Sequence, residues 1–438
     1  MKTTGKLLIL FLLSLVLINA GCANRSSAET TAARQPNVNS SAAENQTSSS
    51  VSTMPASLDM SVGIAVPLTQ RQKSSVFVES TNGTDDGIRK LFNSMQRQGI
   101  DLYKSEQLGF AVSPSGLIAA DDVIIIKINC QWAERGGTNT DLIRSVIQMI
   151  VNHPDGFKGE VIIADNGQAQ YGSERRGGSL SWANANSVDR RQSVMDVVRF
   201  FQAGGFRVTG VLWDDFTTVK VQEFASGDTR NGFVVEDTVR STGAEISYAK
   251  FTTEFGTHVS FKEGIWNAGT RTYQNEKLKL INMPVLKSHA LYQVTGAVKA
   301  YMGTPSDRLT NSRSHNAIAR GWMGTQMANT RMPVINIMDM IWIGVERGPS
   351  SSYTTALQLN KVAASVDPFA LDYWASKNIL MPAVSQLPGG RASAMSPDGA
   401  APGTFGYWLR LSMEEVHKEG IWATMNESEI TVYDNSSI

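Results

Sequence analysis

Between Asp122 and Trp213 the chain repeats one pattern, and that repeat limits the fold more than any other feature of its 438 residues. VIIIKIN is a continuous β-branched run, suited to a strand buried on both faces. DLIRSVIQMIVNH follows, with Leu142, Val146, Met149 and Ile150 on one helical face and Thr140 expected as its N-cap. EVIIAD is a second buried strand. VDRRQSVMDVVRFFQAGG then spaces Val194, Val197, Val198 and Phe201 as a helix and stops at Gly204-Gly205. FRVTGVLW is a third strand. Strands alternating with helices predict an α/β fold, a mostly parallel sheet with crossover helices.

From Thr217 the pattern shortens to VKVQEF, GFVVED, AEISYAKFTT and HVSFKEGIW, which predicts an antiparallel insertion or sheet extension over 217–276. KLKLINMP returns to a buried strand, KVAASVD is another, and PFALDYWASKNIL is a helix with Pro368 in its first turn. Met381 to Phe405 is rich in Pro, Gly, Ala and Ser and reads as a long surface loop. SMEEVHKEG and ITVYD read as a closing helix and an edge strand. The α/β domain is therefore expected over 58–381, with 382–438 packed on it.

The first 57 residues differ in kind. MKTTGK, then LLILFLLSLVLI, then NAGC has the layout of an export signal, too short and wrongly flanked for a stable membrane span. Ala20-Gly21-Cys22 resembles the end of a bacterial lipoprotein box, although Asn19 stands where that box usually has Leu. The expectation is a signal peptide over 1–22, a lipid anchor on Cys22, and placement in the cell envelope; the alternative is ordinary cleavage with Cys22 incidental. Residues 23–57 are Ser, Thr, Asn and Ala with few large apolar groups, the composition of a flexible tether. Forty basic residues balance forty acidic ones, with no basic run, so a nucleic-acid partner is not expected. Two cysteines, Cys22 and Cys130, are too few for an iron–sulfur cluster held by four thiolates. With Cys22 acylated, Cys130 has no disulfide partner and reads as a small buried apolar residue.

Ligands of open α/β sheets bind outside the carboxyl ends of the strands. Four such ends finish in polar groups: Lys127 and Asn129, Asp165 and Asn166, Lys287 and His289, and Asp367. Were these strands parallel neighbours, the groups would converge on one edge. Two lysines would hold a small anionic molecule, and carboxylates would hold a divalent metal or orient hydroxyls. Each can equally be a helix cap, a snorkelling lysine or one half of a structural ion pair. Thr295-Gly296 can open a helix whose free N–H groups face an anion, with Lys299 one turn later. His289 and His315 flank that segment. His153 reads as a helix C-cap acting on the dipole, His417 as exposed, and His258 lies in the antiparallel region.

The segments KIN, IADNG, MPVLKSH with TGAVKAYMG, NIMDMIWIGVERGP and SVDPFALD resemble, in order, the domain-of-unknown-function 362 family, from about Val123 to Trp374. Many of its members carry a ferredoxin-like cluster domain. This chain lacks those cysteines, so the resemblance does not imply electron transfer. It implies no established reaction either, and it places Asp339 and Asp372 in its motifs beside Asp367. The spacing from His289 through Lys299 to His315, with Thr-Gly before the lysine, also resembles the lactate racemase family. That likeness implies Lys299 as the attachment point of a nickel-pincer nucleotide, His315 as a nickel ligand and His289 as an acid/base group. The racemases carry a further histidine after an earlier strand, where IADNGQAQ offers only Asp165.

The expectation is thus an envelope enzyme for a small anionic substrate. Lys127 and Lys287 hold the anion, with Asn129, Asp165, Thr295 and Gly296 around it, and His289 and Lys299 do proton chemistry. His315, Asp339, Asp367 and Asp372 are the candidate ligands for a divalent metal. The competing expectations are a binding protein that captures a ligand in the same pocket and a structural domain whose motifs cap strands and helices.

Overall fold

The computed structural model describes residues 73–436 apart from 82, 84–85, 170–176 and 349–350. The expected signal peptide, the expected tether and Cys22 lie outside the described residues. Among the described residues no helix is long and apolar enough to cross a membrane.

A ten-stranded mixed sheet organises the domain. Its main path runs 430–434, 74–80, 356–365, 335–344, 278–282, 123–127, 160–165 and 208–212. Along that path only 356–365 runs against the others, pairing antiparallel with 335–344 and with 74–80. The VIIIK strand sits between two parallel neighbours, with Lys127 in register with Asn282 on one side and Ala164 on the other. Its β-branched run is explained by its two faces. Ile125 enters one apolar core and Ile124 and Ile126 the other, and all three are completely buried. Burial of each side chain contributes about 1.5–3 kcal/mol before entropy is counted.

Helices 86–96, 140–151 and 194–203 cover one face. Helix 140–151 begins one residue earlier than expected. The N-cap is Asn139, whose side-chain oxygen accepts from Asp141 N and Leu142 N at 3.0 and 3.1 Å, and Thr140 is the first helical residue. Helix 194–203 opens with a capping box made by Ser193 and Asp196.

The other face carries the 217–276 region, which is an insertion rather than an extension. Its five antiparallel strands form a separate sheet in the order 272–274, 264–267, 258–260, 245–252 and 232–239. Phe233, Ile246, Phe251 and Phe261 pack into the same core as Ile125, Leu280 and helices 322–329 and 405–418. Two more expectations need correction. Residues 381–385 are helical and extend the run begun at Pro368, and Met395, in the expected surface loop, is buried. His153 does not cap its helix. Its ring is buried, pairs through Nε2 with Ile118 O and accepts from Asp155 N.

Candidate functional site

The chain leaves the Leu278–Asn282 strand, turns at Pro284 and continues as Val285–His289, which pairs parallel with 335–344. Along this second segment Val285 pairs with Asp339 and Lys287 with Gly344. Its partner on the other side is a short return strand, Gln293–Thr295, with Lys287 opposite Thr295 and His289 opposite Gln293. Thr295 is therefore a strand residue, and Gly296 caps the four-residue helix Ala297–Ala300 that carries Lys299. The hairpin brings His289, Thr295 and Lys299 over the ends of the strands bearing Lys127 and Asp165. Together they line a cavity of about 390 Å³ that also includes Asn129, Asn166, Lys287, Asp307 and His315.

Three lysines meet there, with exposures of 1% for Lys127, 4% for Lys287 and 7% for Lys299. Lys127 forms an ion pair with Asp165 at 3.0 Å, and Asp165 also accepts from Cys130 N at 2.8 Å. Even so, Lys127 Nζ and Asp165 Oδ1 lack a well-angled hydrogen bond. Gly303 permits this packing, because a Cβ there would stand 2.0 Å from Asp165 Oδ1. Lys287 donates to Gly136 O at 2.6 Å, and burial lowers its pKa to about 8. Lys299 makes no hydrogen bond or ion pair among the described residues, and its ammonium lies 5.4 Å from the Tyr292 ring centre. Burial, then the charges of Lys287 and Lys127, bring its pKa to about 7.

Tyr292 links the two histidines, its ring centre lying 5.4 Å from that of His289 and 5.6 Å from that of His315. His289 Nδ1 accepts from Leu291 N and Tyr292 N, both at 3.1 Å. Two donors at Nδ1 fix the tautomer with its hydrogen on Nε2. Burial and then Lys299 hold the His289 pKa far below its ordinary value, so the neutral ring is a hydrogen-bond donor rather than a general base. His315 Nδ1 is buried without a hydrogen-bond partner, 4.0 Å from Asp307 Oδ2, and burial lowers its pKa to about 4.

The three aspartates stand elsewhere, and none lines the cavity. The strand before Asp367 runs antiparallel to its neighbours, so its end lies at the opposite edge of the sheet. There Asp367 is the N-cap of the helix beginning at Pro368, accepting from Phe369 N and Ala370 N and also from Ser74 and Thr424. Asp339 accepts from Asn139 N and Ile341 N. Asp372 takes the N–H groups of Ala297 and Val298 at 2.6 and 3.0 Å, which overturns the idea that this helix start faces a bound anion. Gly296 is needed for that contact, since a Cβ would lie 2.2 Å from Asp372 Oδ1. Among the described residues no three histidines, cysteines, aspartates or glutamates are grouped to hold a metal.

Tyr292, Asp307 and Gly303 were not legible as site residues. Tyr292 had one available signal, the alternation on both sides of Ala290–Tyr292 that marks a hairpin. The molecule is thus an α/β protein with a lysine-lined cavity at the carboxyl edge of its parallel strands. Residues 192–377 match the family described as Domain of unknown function (DUF362). The matched segment holds Lys287, His289, Lys299 and His315, while the KIN and IADNG motifs precede it. No curated protein and no solved structure is significantly similar to the chain.

Proposed function

We propose that the domain is an enzyme that binds a small anionic substrate in the lysine cavity and moves a proton on it. One observation carries this reading: three buried lysines face one cavity, and Lys299 has no hydrogen-bond or ion-pair partner among the described residues. An unpaired ammonium is costly to bury, and a bound carboxylate or phosphate would supply the missing counter-charge and hydrogen bonds. Lys127 is offset by Asp165, which leaves Lys287 and Lys299 to hold the anion. An amine with a pKa of about 7 can give up and recover a proton near neutrality, which suits Lys299 to acid/base work. His289 donates its Nε2 hydrogen to an oxyanion without becoming charged.

Titration calorimetry with inorganic phosphate and with short carboxylates tests the reading. Binding should be strong at pH 6.5, where both lysines are protonated, and should fall more than tenfold by pH 9. Equal affinity at the two values, or no binding at either, would sink it. His289→Asn should keep affinity within a few fold and abolish deuterium exchange into the bound acid. Retained exchange would favour a non-catalytic capture protein.

A second reading has its own support. Lys299, His289 and His315 surround Tyr292, and among the described residues neither the Lys299 amine nor His315 Nδ1 makes a hydrogen bond. These residues suit a nickel-pincer nucleotide, with Lys299 for covalent attachment and His315 as an imidazole ligand. When bound, such a group supplies a Lewis-acid centre. By that likeness Asp165 stands where the racemases have a further histidine, and it is committed to Lys127 and Cys130, so Lys299 remains for proton transfer. Intact mass and nickel content of protein from the native host decide the matter, since an unmodified Lys299 without nickel excludes it.

We also infer that the domain works in the cell envelope on a lipid anchor at Cys22. The basic start, apolar run and Ala20-Gly21-Cys22 support this. Radiolabelled palmitate should enter the wild type but not Cys22→Ser, and equal labelling of both would refute it.

A further inference from the structure

A second cavity, of about 580 Å³, adjoins the lysine cavity and shares His289 and Ala290 in its wall. It is larger than the lysine cavity, and its character is different. Val345, Val384 and Met395 are buried side chains in its lining, and Leu387 adds a half-buried one. Its only charged lining groups, Glu346, Arg347 and Arg391, are all exposed. The two guanidinium groups make no hydrogen bond or ion pair among the described residues. Ser288 Oγ is already committed to Glu346 O. The cavity therefore has no buried charge with which to fix an anion. It does have fixed apolar walls that hydrocarbon wets better than water does.

We propose that this cavity takes the apolar body of the substrate whose anionic head sits among the lysines. The ligand is then a carboxylate or phosphate ester carrying an apolar chain or ring of several carbons. The inference rests on the anion-binding reading above and extends it to substrate class. His289 stands at the junction. Its Nδ1 is held by two backbone N–H groups, so the ring is a fixed post between head and body.

The test is a homologous series of n-alkanoates and a parallel series of n-alkyl phosphates, titrated against the full chain at pH 6.5. Whichever head group binds, affinity should rise about fourfold per methylene over the first several carbons. Leu387→Trp, which fills the cavity from its half-buried wall, and Leu387→Ser, which makes that wall polar, should both flatten the series at its longer members. Folding of each variant is checked by its thermal unfolding. A series that binds but does not strengthen with length overturns this inference and leaves the anion site standing. So does a rise that both variants leave intact. Absence of binding at every chain length instead overturns the anion site, and this extension falls with it.

Discussion

Lys299 and Arg331 are both buried cations, 7% and 2% exposed, and they are treated in opposite ways. Arg331 donates to Phe261 O, Lys262 O, Asn275 O and Leu278 O. Those four carbonyls belong to the inserted sheet and to the start of a central strand, so the guanidinium ties the insertion to the main sheet. Lys299 has an aromatic ring 5.4 Å away and no acceptor among the described residues. The same contrast separates the buried aspartates from Lys299. Each carboxylate oxygen of Asp339, Asp367 and Asp372 receives a backbone N–H or a hydroxyl. A buried charge whose hydrogen bonds are all made is part of the architecture, whereas one left open marks a candidate ligand site.

The sharpest way to break this comparison is to make the same substitution twice. Arg331→Met leaves four carbonyls without a donor and should cost about 3–5 kcal/mol of stability in urea unfolding. Lys299→Met removes a polar group that has no partner, so it should hold or raise stability by about 1 kcal/mol while lowering phosphate affinity more than tenfold. A large stability loss at Lys299 would show that its role is structural.

The pH dependence should separate the two positions next. The Lys299 pKa is lowered to about 7 in the folded chain, whereas an unfolded lysine titrates near 10.4. Between those values the unfolded state binds the extra proton, so the stability contributed by this residue rises with pH from about 7 to about 10. The difference in unfolding free energy between wild type and Lys299→Met should therefore grow in favour of wild type across that range. Phosphate affinity should fall over the same range. If the stability difference stays flat, the lysine is not desolvated.

The smallest effect is expected at Thr295, which lines the cavity and whose buried Oγ1 has no hydrogen-bond partner among the described residues. Thr295→Val should change stability by less than about 1 kcal/mol, because no internal hydrogen bond is lost. A drop of several fold in phosphate affinity would place that hydroxyl on the ligand. Unchanged affinity would assign the open hydroxyl no role.

Legibility in the sequence followed how local the controlling interaction was. The buried strands and the helices at 140–151 and 194–203 could be read because their patterns follow from one element packing on one core. The cavity residues Lys127, Asp165, Lys287, His289 and Lys299 could be named because polar groups at the ends of apolar strands are conspicuous. Asp367 misled for a reason that lies outside its own segment. KVAASVD reads as a buried strand in either direction, and only its pairing with 335–344 and 74–80 reverses it. Tyr292 was hidden because its importance is its position between two histidines 26 residues apart in the chain.

The sequence by itself determined the alternation of strands and helices, the two-faced burial of VIIIK and the charged groups available at strand ends. Those features come from short-range periodicity and from the cost of burying polar atoms. Tertiary structure alone decided which of these charges face one another. Strand direction, the hairpin after His289 and the close approach allowed at Gly303 set which groups meet, and each depends on contacts between segments far apart in the chain. Those contacts satisfied the aspartates internally and left Lys299 open.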